Sequence, residues 1–351
     1  MNKEWADKNK KMQSLIAKEA SFREGIEVLL DLRNDLFLQI TAIVNTYPKE
    51  AFWQMPFAGA DGYHSKTLAY SMWHIFRIED IVAHTLIQKD SQVLFRDDWQ
   101  EKTGSLIITT GNELQGEEIA GFSEKLDVSA VFDYCKAVKE ATDELLKGLE
   151  YKDLKRKFTD SDRERVVDSH SVSTDENAFW LVDYWCGKDI KGLIQMPFSR
   201  HWIMHVEAMC RIKNRLCKIA RKGVNPVAYC GLSCDHCFLK EWCGACRTCY
   251  NCCSNATCSP GGVCPNASCC KEKQIEGCWD CSELEGCEKG FYANGLDGTA
   301  AKAQALFVRK YGMKAMLQAL NRIAEAQGDR EAQNLIGSDV ETGMKILEEN
   351  R

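Results

Sequence analysis

Apolar residues recur at three- and four-residue steps over 22–46, where Ile26, Leu29, Leu30, Leu36, Phe37, Ile40 and Ile43 predict one buried helix face. Pro48 stands just past its end, where proline stops a helix. A Gly-rich stretch, 58–62, precedes a second predicted helix over about 65–88. Residues 90–127 read as irregular, with Gly104, Gly111, Gly116 and Gly121 as breakers. A third helix is predicted over 129–149, with Ser129 as its N-cap. A fourth runs over 199–221 until Gly223 and Pro226 break it. Between these two, 150–197 reads as a long polar connection with an aromatic patch at Phe179, Trp180, Tyr184 and Trp185.

Long amphipathic helices joined by two long connections predict a mainly α fold whose first part, 1–222, is a four-helix bundle. The pattern then changes. Residues 230–290 have little periodicity and few large apolar side chains, so 228–292 reads as a small irregular module. Helical spacing returns over 298–351, in particular at 313–326 and 339–348, and these helices are expected to pack with that module.

Composition sharpens the second part. Of 19 cysteines, 15 fall between Cys230 and Cys287. The charged N-terminal stretch Met1–Lys8 is no secretory signal, and no run of about 18 apolar residues occurs. The chain is therefore expected to be cytoplasmic and off the membrane, where dense cysteine means metal or redox chemistry rather than structural disulfides. A net charge of −6 argues against nucleic acid as partner. The basic run 152–165 is interleaved with Asp153, Asp160, Asp162 and Glu164 and reads as a solvated loop.

Repeated Cys-x2-Cys is the spacing that lets two thiolates from one tight turn reach one ion. Cys230, Cys234, Cys237, Cys243, Cys246, Cys249, Cys252, Cys269, Cys278, Cys281 and Cys287 are the expected ligands. Four thiolates per zinc would make two or three sites, with His236 available to join one. Adjacent cysteines such as Cys252 and Cys253 do not easily share an ion. Zinc is the expected metal and an iron–sulfur cluster the alternative, since Cys243-x2-Cys246-x2-Cys249 resembles ferredoxin spacing. Cys230-x3-Cys234-x2-Cys237 matches the loop of radical S-adenosylmethionine enzymes, but no α/β barrel pattern accompanies it. Cys135, Cys186, Cys210 and Cys217 read as small buried hydrophobes.

The histidines mark a second chemistry. His201 and His205 are four residues apart, about 400° on a helix, so both imidazoles project from one face. Ala208, Ile212 and Leu216 continue that face and turn it inward. No Glu follows His201, which excludes the zinc-protease motif. His74 shares an apolar stripe with Ile78, Ile81 and Thr85, where it needs a hydrogen bond or a metal. Arg77, Glu79 and Asp80 are candidates to support the histidines, or else form an exposed ion-paired face. His64, His84 and His170 are not expected to be ligands.

Residues 65–88, with Trp-His-x-x-Arg-Ile-Glu-Asp, and the segment Met196-Pro197-Phe198-x-x-His201-x3-His205 resemble the second and last helices of the DinB-like superfamily of metalloproteins. The resemblance covers about 20–222. It implies a divalent metal (zinc, nickel, manganese or iron) held by His74, His201 and His205. It also implies a small-molecule substrate, a low-molecular-weight thiol cosubstrate, transferase, isomerase or hydrolase chemistry, and a homodimer formed through the bundle. Three imidazoles leave metal positions open, as catalytic sites do. No acid–base residue beside the triad is identifiable from sequence, which favours the alternative of a non-catalytic sensor, store or adaptor. The segment Tyr229-Cys-Gly-Leu-Ser-Cys-Asp-His-Cys, with Cys243-Gly-Ala-Cys and Gly277-Cys-Trp-Asp-Cys, resembles a bacterial and archaeal Cys-rich family of unknown function over about 228–325.

Overall fold

The computed structural model describes residues 2–240, 243–248, 250, 253 and 264–351. Cys249 and Cys252, expected as ligands, lie outside the described residues, as does Cys258. The protein is mainly helical; among the described residues it has no strand, only isolated bridges at Lys157–Asp189 and Val227–Ser233. No described helix is long and apolar enough to cross a membrane. Two compact units separate, one of Met1–Val44 with Pro48–Lys213, the other of Asn45–Tyr47 with Asn214–Arg351.

The first unit carries α1 (Lys3–Ile16), α2 (Phe22–Thr46), α3 (Leu68–Asp80), α4 (Trp99–Thr103), α5 (Glu117–Lys125), α6 (Val128–Gly148), α7 (Asp160–Asp168), α8 (Glu176–Cys186), α9 (Ile190–Gln195) and most of α10 (His201–Ala220). Helix α2 has the predicted bounds. Helix α6 begins one residue early, because Asp127 and not Ser129 caps it, its carboxylate accepting from Ala130 N at 2.9 Å. The connection read as polar loop over 150–197 instead folds into α7, α8 and α9, whose Val166, Ala178, Leu181, Val182, Trp185, Ile190, Leu193 and Ile194 join one buried cluster. Two wide π-helical segments interrupt the α pattern, Ile81–Gln88 after α3 and Met196–Arg200 before α10.

The centre of this unit is ionic. Arg33 on α2 is fully buried and donates two bonds to Glu79 on α3, at 2.8 and 2.7 Å, and one to Asp143 on α6 at 2.7 Å. It also reaches the Phe198 carbonyl at 3.2 Å and lies 4.4 Å over the Trp202 ring. Trp202 Nε1 in turn donates to Glu79 at 2.7 Å. Glu79 is thus neither a histidine partner nor part of an exposed face; it is half of a buried pair. Burial disfavours the guanidinium charge, but Glu79 and Asp143 more than offset this and raise its pKa.

The second unit holds α11 (Pro265–Glu272), α12 (Gly295–Tyr311), α13 (Met313–Gln327), α14 (Asp329–Ile336) and α15 (Val340–Glu349). One of its clusters is conventional, with Phe307, Met316, Leu320, Ile323, Ile336 and Leu347 under Trp279 and Val227. The other is built on sulfur: Cys230, Cys237, Cys246, Cys264, Cys270 and Cys278 pack with Leu232, Leu284, Phe291 and Tyr292. Small residues on α12 let the loops come close. Gly231 has φ +95°, and a Cβ there would stand 2.6 Å from the Cβ of Ala305, so only glycine fits between the cysteine loop and the helix.

Breaking a buried pair by removing one partner leaves charge stranded without water, at a cost of about 3–5 kcal/mol. Arg33→Met is expected to lose that much stability, read as a fall in the urea midpoint of unfolding; an unchanged midpoint contradicts the central role given to Arg33.

Candidate metal centre

Helix α3 starts where Thr67 accepts from Tyr70 N at 3.0 Å, and it presents Tyr70, Trp73, His74 and Arg77 at helical spacing to the irregular segment that follows α4. Each side chain grips one carbonyl there. Tyr70 Oη donates to Gly111 at 3.0 Å, Trp73 Nε1 to Thr109 at 3.1 Å, and Arg77 to Ile108 at 3.1 and 2.6 Å. His74 Nδ1–H donates to the Thr110 carbonyl at 2.8 Å. Gly111 permits this fit: its φ is +77°, and a Cβ would press on the Tyr70 ring at 3.0 Å. The bond to Thr110 fixes the tautomer of His74 and leaves Nε2 with its lone pair facing inward, the arrangement typical of a ligating imidazole.

The other two rings arrive on α10. The π-helical turn Met196–Arg200 leads directly into it, and the His201 amide closes back onto the Met196 carbonyl. Such wide turns recur at functional sites. His201, His205, Ala208, Ile212 and Leu216 are all buried, as the helical spacing predicts.

The three imidazoles converge. One ring nitrogen from each lies within 4.8 Å of the others. His201 Nε2 stands 3.2 Å from His74 Nε2, and the ring centroids are 4.6–5.1 Å apart. Exposures of 5, 6 and 2% for His74, His201 and His205 keep water away. His201 Nδ1 and both ring nitrogens of His205 have no hydrogen-bond partner, a costly state for buried polar atoms. The residues fit a divalent metal: nitrogens bound at 2.0–2.1 Å to one ion are about 3.0–3.4 Å apart, and neutral imidazole suits zinc, copper, iron and nickel. Among the described residues this trio is the one group of three or more His, Cys, Asp or Glu whose ligand atoms all lie within 4.8 Å of one another.

All three histidines are biased to the neutral form. Burial lowers His74 to about 4, partly opposed by its bond to Thr110, with the Lys66 charge adding to the fall. Burial, then the neighbouring histidines, push His201 and His205 well below the ordinary value.

Two groups missed by sequence reasoning bear on Tyr70, the ring that stacks on His74. Half-buried Lys66 sits 5.3 Å from the Tyr70 ring, which stacks on His74 at 5.4 Å. Burial lowers its pKa. Glu113 accepts from Thr109 Oγ1, and its charge adds to the burial that raises the pKa of Tyr70. Glu113 lies in a segment without helical periodicity, and Lys66 at the very start of the helix predicted over 65–88, ahead of its apolar positions, so no spacing signal marks either. Tyr63, 43% exposed, packs edge-on against His205 at 4.7 Å and is the triad's neighbour on the solvent side.

Arg77 and Asp80 act at one remove. They pair at 2.9 Å, share Tyr134 Oη, and Asp80 accepts from the amides of Val93 and Leu94 at 2.7 and 3.0 Å. His84 bonds Asp90 at 2.8 Å, away from the triad.

In the second unit no described trio of thiols closes to the distance the histidines reach. The structure does gather cysteines in pairs and small groups. Cys270 and Cys278 sulfurs are 3.7 Å apart. Cys230, Cys234, Cys237, Cys243 and Cys246 act on one another electrostatically. The amides of Leu239 and Ala245 donate to Cys237 and Cys243 sulfurs, each at 3.4 Å. Cys269, Cys281 and Cys287 line a small cavity with Cys270 and Cys278. His236 is committed elsewhere, bonded to Ser233 at 2.8 Å and Asn321 at 3.0 Å.

Comparison with protein-family models, with curated proteins and with solved structures gives no match.

The lowered histidine pKa values set a pH dependence. Unfolded histidines take up protons below about pH 6.5 while the buried ones do not, so the unfolded state binds more protons and stability falls with pH. For His74 the loss runs from about pH 6.5 down to about 4, at about 1.4 kcal/mol per pH unit. Urea unfolding of the metal-free protein at pH 7, 6, 5 and 4.5 should show it; a flat profile contradicts neutral, buried imidazoles.

Proposed function

We propose that the first unit is a metal-dependent enzyme of the DinB-like type, with a divalent metal on His74, His201 and His205 activating a thiol or a water against a small electrophilic substrate. Transfer, isomerisation or hydrolysis dependent on a small thiol is the class of reaction. The observation that carries this reading is the convergence of one ring nitrogen from each of three buried histidines on α3 and α10, with His201 Nδ1 and both ring nitrogens of His205 lacking a hydrogen-bond partner.

A metal bound there supplies acidity, lowering the pKa of a coordinated thiol or water so that a nucleophile forms near neutral pH. The remaining work falls to the chain. Thr110 holds His74 in one tautomer, and Tyr70 stacks on its ring. Lys66 supplies a positive charge beside the site that favours an anionic substrate group or a thiolate. Tyr63 is placed to meet a substrate arriving from solvent. The competing reading, a non-catalytic metal sensor or store, draws on the depth of the histidines, none more than 6% exposed.

The second unit is read as an accessory zinc domain. Nine cysteines belong to one cluster there, a core otherwise short of large apolar groups. An iron–sulfur cluster for electron transfer is the alternative, and it would colour the purified protein brown.

His74→Ala and His201→Ala are each expected to remove one metal equivalent per chain while the circular dichroism of the helices survives. Both should reduce any thiol-transferase or hydrolase activity of the parent to background. Full metal content in either variant overturns the site; full metal loss without an activity in the parent, screened with several low-molecular-weight thiols, supports the sensor or store instead.

A further inference from the structure

Around α11 the second unit encloses a cavity of about 20 Å³ lined by Cys269, Cys270, Cys278, Cys281 and Cys287. That volume admits one water-sized body. Two of these sulfurs already stand in a telling relation: Cys270 Sγ and Cys278 Sγ are 3.7 Å apart. Thiolates bound at about 2.3 Å to one tetrahedral zinc are separated by about 3.8 Å.

From this geometry we infer that Cys270, Cys278, Cys281 and Cys287 form one four-thiolate zinc site, with Cys269 left out. This rests on the reading that the cysteine domain binds metal, and it assigns four ligands that spacing alone leaves open. Sequence reasoning favours Cys269 of the adjacent pair; packing favours Cys270, which is 1% exposed and carries its sulfur to Cys278, whereas Cys269 is only partly buried. Cys281 and Cys287 line the same cavity, and metal binding draws their sulfurs in.

The surroundings suit thiolates. Cys278 accepts from Cys270 and, at 3.7 Å, from Asn266 Nδ2. Lys273 Nζ donates to Cys281 at 3.4 Å, and Lys289 also lines the cavity. Four thiols surrender four protons to bind one Zn²⁺, leaving a net charge of −2 on the centre; Lys289 and Lys273 line it, the latter also paired at 2.9 Å with Glu283, which lines the same cavity. The Asn266 and Lys273 donors are the outer support that metal sites require.

The test measures zinc in the reduced, full-length chain and in Cys270→Ser, Cys278→Ser and Cys269→Ser. The first two should each hold one zinc fewer per chain than the parent, and Cys269→Ser the parent amount. A second measurement avoids any folding defect: in the unaltered chain, alkylation should reach Cys269 first and reach Cys270 and Cys278 only after a chelator strips zinc. Full zinc in Cys270→Ser, or equal alkylation of Cys269 and Cys270 before chelation, overturns the assignment while leaving a metal-binding domain intact. A parent whose zinc is confined to the histidine unit removes the domain reading and the assignment together. A Cys270–Cys278 disulfide in the protein kept under reductant likewise overturns it.

Discussion

A guanidinium with no access to water organises the first unit. Arg33 needs its charge satisfied in every direction, and the groups that satisfy it come from α3, α6 and the turn before α10. An ion pair tolerates little displacement, because burial makes each lost bond cost far more than it would at a surface. The pairing therefore fixes the relative position of helices that hydrophobic packing alone would allow to slide. It also holds Trp202, through the guanidinium over its ring and the indole bond to Glu79. His201 is the adjacent residue. The helix that carries two imidazoles is thus pinned one residue from the first of them, and Glu79 lies five residues beyond the third imidazole on α3.

The second constraint is the row of carbonyls from Ile108 to Gly111. Irregular backbone beside a buried helix needs donors, since unpaired carbonyls are costly away from water. Four side chains of α3 meet that need, and one of them is His74. The same bond that satisfies Thr110 sets which nitrogen of His74 carries the proton. Loop packing and ligand orientation are therefore a single interaction, and Arg77, three residues from His74, serves the site by anchoring the loop rather than by touching the ring.

Much of this was legible in the sequence, for identifiable reasons. His74, His201 and His205 lie on helices with strong apolar periodicity, and a helix fixes direction, so their inward projection follows from spacing. Helix α1 was not foreseen because it buries few residues, Trp5, Asn9, Met12 and Ile16, among many charges. Helices α7–α9 were hidden for a related reason: each is short, and α7 buries only Asp162 and Val166. Glu79 and Asp80 were ambiguous because a buried carboxylate and an exposed one look alike until the partner, Arg33 or Arg77, is known from tertiary contact. The choice between Cys269 and Cys270 is of the same kind, since adjacent residues differ in the direction of their side chains and not in chemistry.

The two units face opposite problems with one kind of solution. In the first, the hydrophobic core is ample, and the histidines are polar groups placed inside it at a cost. In the second, the loops that carry the cysteines offer little apolar volume, and sulfur fills the core. Burial first, and neighbouring thiols after it, push Cys230 and Cys234 above the ordinary thiol range and bring Cys246 to about 11. Left without a cation such groups stay protonated and act as small hydrophobes; to bind one they would first have to lose their protons. Imidazole nitrogen and thiolate sulfur differ in softness, so the donor sets need not compete for the same metal. The first unit keeps an ample apolar core around its candidate site, whereas in the second the sulfurs themselves make up part of the core.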